Sequence, residues 1–341
     1  MQKKILILNV GSSSVKYHLY KGRYLVTRGE IQRIGEKHQQ TYPQAIDQVF
    51  RKVGEVDVIG HRIVHGYDIT EPTKITSELL SHLEEFSSLA PLHNKSELQV
   101  IKYCRKKFRK TQQIALFDTN FFKDLPAHSR TYPIPKKLAE KYKIRRYGFH
   151  GESHRYMLEQ AKKILKKTNP NLITCHLGNG CSITAIKNSK PVDTSMGFTP
   201  LDGIPMGTRS GAIDPGIIFF LSRHGYLVRE IEELLNEKSG LLGMSNISKD
   251  ARDLLSSDSP QARLALNVFT YQVAKQLSSY YGILGKVDAI IFTAGIGQNE
   301  PKIRKMILSQ IKLPQIKKTK ILVIRADESS VMIEQILKLI N

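Results

Sequence analysis

The sequence predicts an α/β chain, and a repeated strand–turn–strand pattern suggests two similar halves that face one cleft. Three observations carry that expectation. Short apolar runs of strand length alternate with segments whose apolar residues recur every three or four positions. A strand, a small-residue turn and a second strand open the chain and recur near its middle. A further apolar strand, late in the chain, also runs into glycines.

Residues 5–8 (ILIL) form a continuous apolar run, as expected of a central strand covered on both faces. Gly11-Ser12-Ser13-Ser14 is a tight turn, and residues 15–20 resume as a strand rich in β-branched and aromatic side chains. The same order returns at residues 172–176, the turn LGNGCS at 177–182, and residues 183–186. Aligning Gly11 with Gly178 sets Ser12 opposite Asn179 and Ser13 opposite Gly180. A strand joined to another by a glycine turn is common in sheet proteins, so the pattern alone leaves duplication open. The late strand, residues 289–292, leads into Thr293-Ala294-Gly295-Ile296-Gly297, where glycines permit positive φ and close approach of the backbone to a ligand.

Helices are expected over residues 78–86, 98–108 and 263–281 from the spacing of their apolar residues. The C-terminal segment carries Val331, Ile333, Ile336, Leu337 and Ile340, with residues 327–330 as N-cap candidates. A domain boundary is placed just after Phe117-Asp118-Thr119.

Composition narrows the classes. The 341 residues include 52 Lys+Arg and 31 Asp+Glu, a net charge of +21, and 40% are hydrophobic. Such a chain can bury a real core and is not disordered. Three cysteines, Cys104, Cys175 and Cys181, are too few for a disulfide scaffold and lack metal-ligand spacing. The N-terminal apolar run is too short for a signal peptide, and no stretch approaches the ~20 apolar residues of a membrane span. A cytoplasmic protein is expected, with no membrane partner. The excess charge fits nucleic acid, small anionic substrates or a solvated surface. Basic runs at residues 105–110, 136–146, 162–167 and 317–320 lie largely in expected helices and outside the motifs. No nucleic-acid-binding motif accompanies them, so nucleic acid is not expected as a partner.

Several groups could do chemistry. Asn9, Ser12, Ser13, Ser14 and Lys16 surround the first turn, where hydroxyls and backbone N–H groups can hold phosphate oxygens. GHRIVHG at 60–66 puts Arg62 between glycines, and a buried Arg is costly unless it meets a carboxylate or phosphate. Asp118 stands at a strand end, a common catalytic position and also a common helix cap. GFHGESH at 148–154 places His150 and His154 at i and i+4; a third metal ligand is missing, so a role near developing negative charge is preferred. Arg209, in GTRSG at 207–211, repeats the logic of Arg62, and the two arginines suit a clamp for a carboxylate and a phosphoryl group.

Together these segments resemble the acetokinase family, within the superfamily that also holds sugar kinases and actin. The resemblance runs end to end. It rests on NVGSSSVK at 9–16, GHRIVHG at 60–66, APLHN at 90–94, FDT at 117–119, YGFHGESH at 147–154, HLGNGCSITA at 176–185, DTSMGFTPLDG at 193–203, GTRSGAIDP at 207–215, KSGLLG at 238–243 and FTAGIGQN at 292–299.

The resemblance implies a two-domain actin-like ATPase fold with duplicated mixed sheets flanked by helices. Residues 1–119, completed by the helix 327–341, would form one domain, and residues 120–326 a nucleotide-binding and dimerisation domain. It implies a phosphotransferase with a carboxyl acceptor: ATP and acetate would give ADP and acetyl phosphate, reversibly, with Mg²⁺, or Mn²⁺ in its place. Propionate is the runner-up acceptor, and a catalytically weakened nucleotide binder is a further alternative.

By the same resemblance, Asn9 and Glu328 place the metal, Lys16 contacts ATP and Arg62 meets the substrate. Asp118 is the assigned catalytic acidic residue, expected to orient an Arg or a metal-bound water, and His150 and Arg209 stabilise the transition state. The nucleotide site would be lined by Ser12, His176, Leu177, Gly178, Asn179, Gly180, Asp250, Ala251, Arg252, Gly295, Ile296, Gly297, Gln298 and Asn299. Val64, Leu92, Phe149 and Pro200 would hold the acyl methyl group, and a homodimer is implied. Relatives usually carry Gly at Tyr67, Thr at Glu152, Glu at Gln298, and an acidic or amide residue at Ala212. Tyr67 is expected to narrow the cleft mouth, and Glu152 to favour the imidazolium of His150.

Overall fold

The computed structural model describes residues 2–11, 13–35, 40–90 and 93–340. Two compact units are present. Unit 1 comprises Met1–Lys123, His150–Glu152 and Asp327–Asn341; unit 2 comprises Asp124–Phe149 and Ser153–Ala326.

In unit 1 the strands are β1 (Lys4–Val10), β2 (Ser14–Lys21), β3 (Tyr24–Gln32), β4 (Val58–Ile63), β5 (Thr73–Lys74) and β6 (Gln112–Phe117). They form one sheet in the order β3-β2-β1-β4-β6-β5. β1, β4 and β6 are mutually parallel, whereas β2 and β3 add as an antiparallel ribbon. Helices α1 (Tyr42–Val53), α2 (Ser77–Glu85) and α3 (Asn94–Lys107) precede their counterpart α14 (Ser329–Ile340), which returns from the C-terminus.

The apolar run in β1 has a direct cause. Leu6 and Leu8 pack with Ile46 and Val49 of α1 and Val100 of α3. Ile5 and Ile7 pack on the other side with Met332, Ile333 and Ile336 of α14. Both faces are therefore dry, and alternation is lost. α14 lies so close to β4 that a Cβ on Gly60 would stand 2.5 Å from Ile336 Cδ1. Glycine at that position is a packing requirement.

Unit 2 holds β7 (Leu172–Leu177), β8 (Cys181–Lys187), β9 (Lys190–Thr194), β10 (Ala289–Thr293) and β11 (Lys320–Val323). Their order is β11-β10-β7-β8-β9, with β7, β10 and β11 parallel and β8 and β9 antiparallel. Matching β7 with β1 and β8 with β2 reproduces the order and strand sense of unit 1, with β10 and β11 taking the places of β4 and β6. The two glycine-turn segments are equivalent hairpins, so the duplication left open by pattern is present in the topology.

The helices of unit 2 are α4 (Ala127–Arg130), α5 (Lys136–Lys141), α6 (Gly151–Leu165), α7 (Pro215–Arg223), α8 (Val228–Glu237), α9 (Gly240–Ser245), α10 (Ala251–Leu255), α11 (Pro260–Leu284), α12 (Ala294–Asn299) and α13 (Pro301–Gln310), with the first turn of α6 belonging to unit 1. α11 is longer than its apolar spacing indicates because its ends are well capped. The Ser259 side chain accepts from Gln261 N–H, Pro260 occupies the first turn, and Gly285 follows at φ 69°.

Two expectations change. Residues 293–297 are not a glycine loop: α12 starts at Ala294, and the positive φ of 65° belongs to Ala294 and to neither Gly295 nor Gly297. The basic run at 317–320 is not an α-helix but the end of a 3₁₀ turn leading into β11. Two of the other basic runs close helices: Arg105, Lys106 and Lys107 end α3, and Lys162 and Lys163 end α6, where the helix dipole favours cations, whereas the run at 136–146 opens α5 with Lys136 and Lys137.

The three cysteines are free and buried. Burial pushes the thiols of Cys104 and Cys181 up to about 12 and that of Cys175 upward as well. Among the described residues no helix is long and apolar enough to cross a membrane.

Ile336 anchors α14 on the sheet and is fully buried. Ile336→Ala is expected to cost about 2–5 kcal/mol, the usual range for such a truncation, measured by urea unfolding.

Candidate functional site

Unit 1 gathers its polar residues at the C-terminal ends of its parallel strands. Asn9 lies near the end of β1, Arg62 near the end of β4, and Asp118 directly after β6. Register brings the last two together. Arg62 pairs with Leu116 and Ile63 with Phe117, and Asp118 N–H donates to the Ile63 carbonyl at 3.0 Å. Arg62 then spans the ends of the strands. Its Nε donates to Asp118 Oδ1 at 2.7 Å and its Nη2 to Asp118 Oδ2 at 2.6 Å. Its Nη1 donates to Asn9 Oδ1 at 3.0 Å and stands 3.9 Å from Glu328 Oε2.

This is a bidentate, charge-assisted pair. The Asp118 side chain is 1% exposed and that of Arg62 14%. Burial opposes the charge on Arg62, but Asp118 and Glu328 outweigh it and hold the guanidinium further in its charged form. Burial raises the Asp118 carboxyl above its ordinary value, with Arg62 and the His150 backbone opposing. Both carboxylate oxygens are thus engaged by one guanidinium.

The His150 segment is drawn onto the same corner. Gly151 N–H donates to the Asp118 carbonyl at 3.0 Å, and a Cβ on Gly151 would fall 2.1 Å from that oxygen. His150, at φ 56°, precedes α6. His150 and His154, four apart in sequence, are therefore not on one helix. His154 is inside unit 2, with Nδ1 2.7 Å from Thr174 Oγ1 and Nε2 2.9 Å from Ser182 Oγ. Burial drives its pKa well below the usual value, so it serves as a neutral core histidine. Glu152 Oε2 accepts from Gln335 Nε2 of α14 at 2.6 Å, an anchor for this segment that sequence reasoning missed.

Lys16 is exposed on β2, in register with Asn9. The first turn closes through Gly11 N–H to the Ser14 carbonyl at 2.8 Å. Val64, just beyond β4, is buried, and its N–H donates to Glu97 Oε2 at 3.2 Å. Tyr67 is buried at φ 56° and stacked on Phe86, with ring centroids 3.8 Å apart. Ser12 and Leu92 lie outside the described residues.

Unit 2 brings a second set together. The turn at Gly178-Asn179-Gly180 closes by Gly178 N–H to the Gly180 carbonyl at 3.0 Å. His176, at the end of β7 before Leu177, has Nδ1 2.8 Å from Ser153 Oγ. The loop bearing Arg209 packs on this turn: Gly207 N–H donates to the Asn179 carbonyl at 3.1 Å, and a Cβ on Gly207 would stand 2.3 Å from Asn179 Oδ1. The α12 start abuts it too, since a Cβ on Gly178 would lie 3.5 Å from Ala294 Cβ and 3.8 Å from the Gly295 nitrogen.

Ile296 and Gly297 are buried in α12, and Arg304 Nη1 donates to the Gly297 and Gln298 carbonyls at 2.8 and 2.9 Å. Gln298 Nε2 donates to Asn299 Oδ1 at 3.2 Å. Asp250 caps α10, accepting from Arg252 N–H at 2.9 Å and pairing with its guanidinium, while Ala251 is buried. Ala212 is exposed, and its N–H donates to the Gly203 carbonyl at 2.7 Å. Phe149 and Pro200 are buried in this unit.

Arg209 differs from Arg62. It is 5% exposed, and its Nη1 donates to the Pro200 carbonyl at 2.9 Å. Among the described residues no carboxylate pairs with it. Burial lowers its pKa to about 10. A buried cation without a counter-ion is expensive, and a bound anion would offset the cost. Arg209→Met should therefore raise stability in the absence of ligand by about 1 kcal/mol or more, read as a higher unfolding midpoint; a lower midpoint would contradict this reading.

A sequence profile of the acetokinase family matches residues 43–335. An acetate kinase from Thermoanaerobacterium thermosaccharolyticum is 42% identical, over 91% of this chain and 87% of the relative. The solved propionate kinase of Francisella tularensis superposes with a TM-score of 0.89 at 36% identity, covering 98% of each chain. The acetate kinase of Porphyromonas gingivalis superposes with a TM-score of 0.85 at 32% identity, covering 99% of this chain and 100% of the other. Residue pattern, topology and these likenesses agree, and the chain belongs to the acetokinase family.

Proposed function

We propose that the chain transfers the γ-phosphoryl group of ATP to the carboxylate of acetate, reversibly, giving acetyl phosphate and ADP. Family membership makes it an ATP-using phosphotransferase. The observation that supports the acceptor side is Arg62, locked by Asp118 at the strand ends with one edge turned to Asn9 and Glu328.

The chemistry limits what each residue does. A small carboxylic acid resembles a Glu side chain, with a pKa of about 4.3, and is already ionised at neutral pH. The nucleophile needs no base, and Asp118 has both oxygens engaged by Arg62. Asp118 therefore orients Arg62. Arg62 holds the acyl carboxylate, and Arg209 and His150 meet the charge that develops on the transferring group. Catalysis is positioning plus charge neutralisation, as expected for a reaction between two anions. Val64, Leu92, Phe149 and Pro200 hold the acyl chain. Lys16, Ser12, the 176–180 turn, residues 250–252 and residues 295–299 hold the nucleotide.

Among the described residues no group of three His, Cys, Asp or Glu could hold a metal by itself. Asn9 and Glu328 offer one amide and one carboxylate oxygen beside Arg62. Hard oxygens in small number fit Mg²⁺, which keeps its waters and binds largely through phosphates. Asn9 and Glu328 would hold it, and it would neutralise phosphate charge.

The test is a hydroxamate assay for acyl phosphate with formate, acetate, propionate and butyrate, on the wild type and on Arg62→Ala and Arg209→Ala. Each variant should lose about 10²–10³ in kcat, and wild-type turnover in either would sink the clamp. The likeness to a propionate kinase favours propionate as second acceptor. One methylene changes discrimination by only about 1–3 kcal/mol, so the preference should be partial.

A homodimer is the assembly we propose. α7 has no buried residue although it is apolar on every side. Phe219 is 62% and Phe220 56% exposed, and Val228 nearby is 79% exposed. Such a helix needs cover, and a second copy presenting the same uncharged face fits a two-fold contact. Phe219→Asp should shift the mass measured by light scattering from dimer to monomer.

A further inference from the structure

Glu97 is the one residue of α3 whose charge conflicts with its place. The buried face of that helix is Asn94, Glu97, Leu98, Val100, Ile101 and Cys104. Glu97 is 2% exposed and accepts one hydrogen bond, from Val64 N–H at 3.2 Å. Among the described residues it has no ion pair of its own. Arg62, which acts on it electrostatically, is already bound to both oxygens of Asp118 and faces Glu328.

We propose that Glu97 is a positioning residue for the acyl acceptor, acting as an uncharged carboxylic acid that holds the Val64 backbone without adding a third negative charge around Arg62. This rests on the acceptor-side reading of Arg62 and Val64 given above. The reasoning is electrostatic. Asp118 and Glu328 already exceed the charge of one guanidinium. A further carboxylate would repel the acetate that Arg62 must hold. An uncharged carboxyl still accepts from Val64 N–H through its carbonyl oxygen, so the wall beside Arg62 is kept in place.

Burial raises Glu97 to about 8, with the Val64 N–H and Arg62 opposing and Asp118 assisting. The charged and titratable groups around it are Arg62 from β4, Asp118 after β6 and Tyr42 at the start of α1. His93 stands one turn earlier at the head of α3, and His65 follows Val64. Glu97 thus crosses from uncharged to charged just above neutrality, and acetate binding should weaken as it does.

The experiment compares the wild type with E97Q, which keeps an acceptor for Val64 N–H but cannot ionise, and with E97A, which leaves that N–H buried and unpaired. In the wild type the KM for acetate should rise roughly tenfold between about pH 7 and pH 9, as expected for one proton lost near pH 8. E97Q should be flat over that range, while the KM for ATP follows the same profile in both proteins. E97A should have a raised KM for acetate at every pH. An E97Q profile that tracks the wild type, or a change in the KM for ATP as large as that for acetate, would overturn the proposal.

A second readout is independent of turnover. A carboxyl raised in the folded state binds more protons folded than unfolded between its two pKa values, so the wild type loses stability as pH rises through that window. The unfolding midpoint of E97Q should exceed that of the wild type by a margin that widens from pH 5 to pH 9. Coincident midpoints across that range would also overturn it. Failure of the wild type to phosphorylate any of the four acids would instead overturn the acceptor reading and leave the stability comparison to judge Glu97.

Discussion

The Arg62–Asp118 pair organises unit 1. Neither residue could be buried alone at a tolerable cost, and neither is placed by its own local structure. Their meeting depends on the parallel register of β4 and β6, which ends both strands at the same level. Once paired, they anchor the other parts of the site. Asn9 and Glu328 attach to the free edge of Arg62, and the Asp118 backbone receives Gly151 and with it His150. Strand register is thus converted into a fixed array of charge.

The two arginines have opposite electrostatic states. Arg62 is compensated by acidic neighbours, whereas Arg209 is buried against a carbonyl. A compensated Arg is a rigid platform that can share hydrogen bonds with a carboxylate. An uncompensated one stores desolvation cost that an anion can relieve. A protein that joins a carboxylate to a phosphate has use for both, and differential relief of that cost is a source of catalytic free energy.

The surplus of cations divides along the same lines. Lys16, Arg62 and Arg209 are the cations to which the proposed function gives a role, and Arg252 is held by Asp250. Some of the remainder closes helices, as Arg105, Lys106 and Lys107 do in α3 and Lys162 and Lys163 in α6, where the dipole favours it. The formal charge of +21 therefore includes a few positioned groups and some that end helices.

Much was legible in the residues themselves. Short runs of strand length marked β1, β2, β7 and β8, with residues 5–8 of β1 continuously apolar because both faces are covered, and apolar spacing marked α11 because its buried face requires apolar side chains at fixed intervals. The glycine-bounded arginines were legible because an Arg between close backbones needs a reason. The fate of residues 293–297 was not, since a glycine-rich segment can be loop or helix and the flanking strand and Arg304 decide. The two histidines separated for a similar cause: His150 stays outside α6 while the Thr174 and Ser182 hydroxyls draw His154 inward. Glu97 carried a signal, an acidic residue within an apolar helical stripe, but its meaning depends on Val64 and Arg62, which are 33 and 35 positions away. Sequence by itself determined which segments must be buried and which residue types could handle anions, because those are local properties of pattern and chemistry. Which carboxylate meets which guanidinium, and which charge is left uncompensated, only the tertiary structure decided, because pairing depends on strand register and on desolvation by distant parts of the chain.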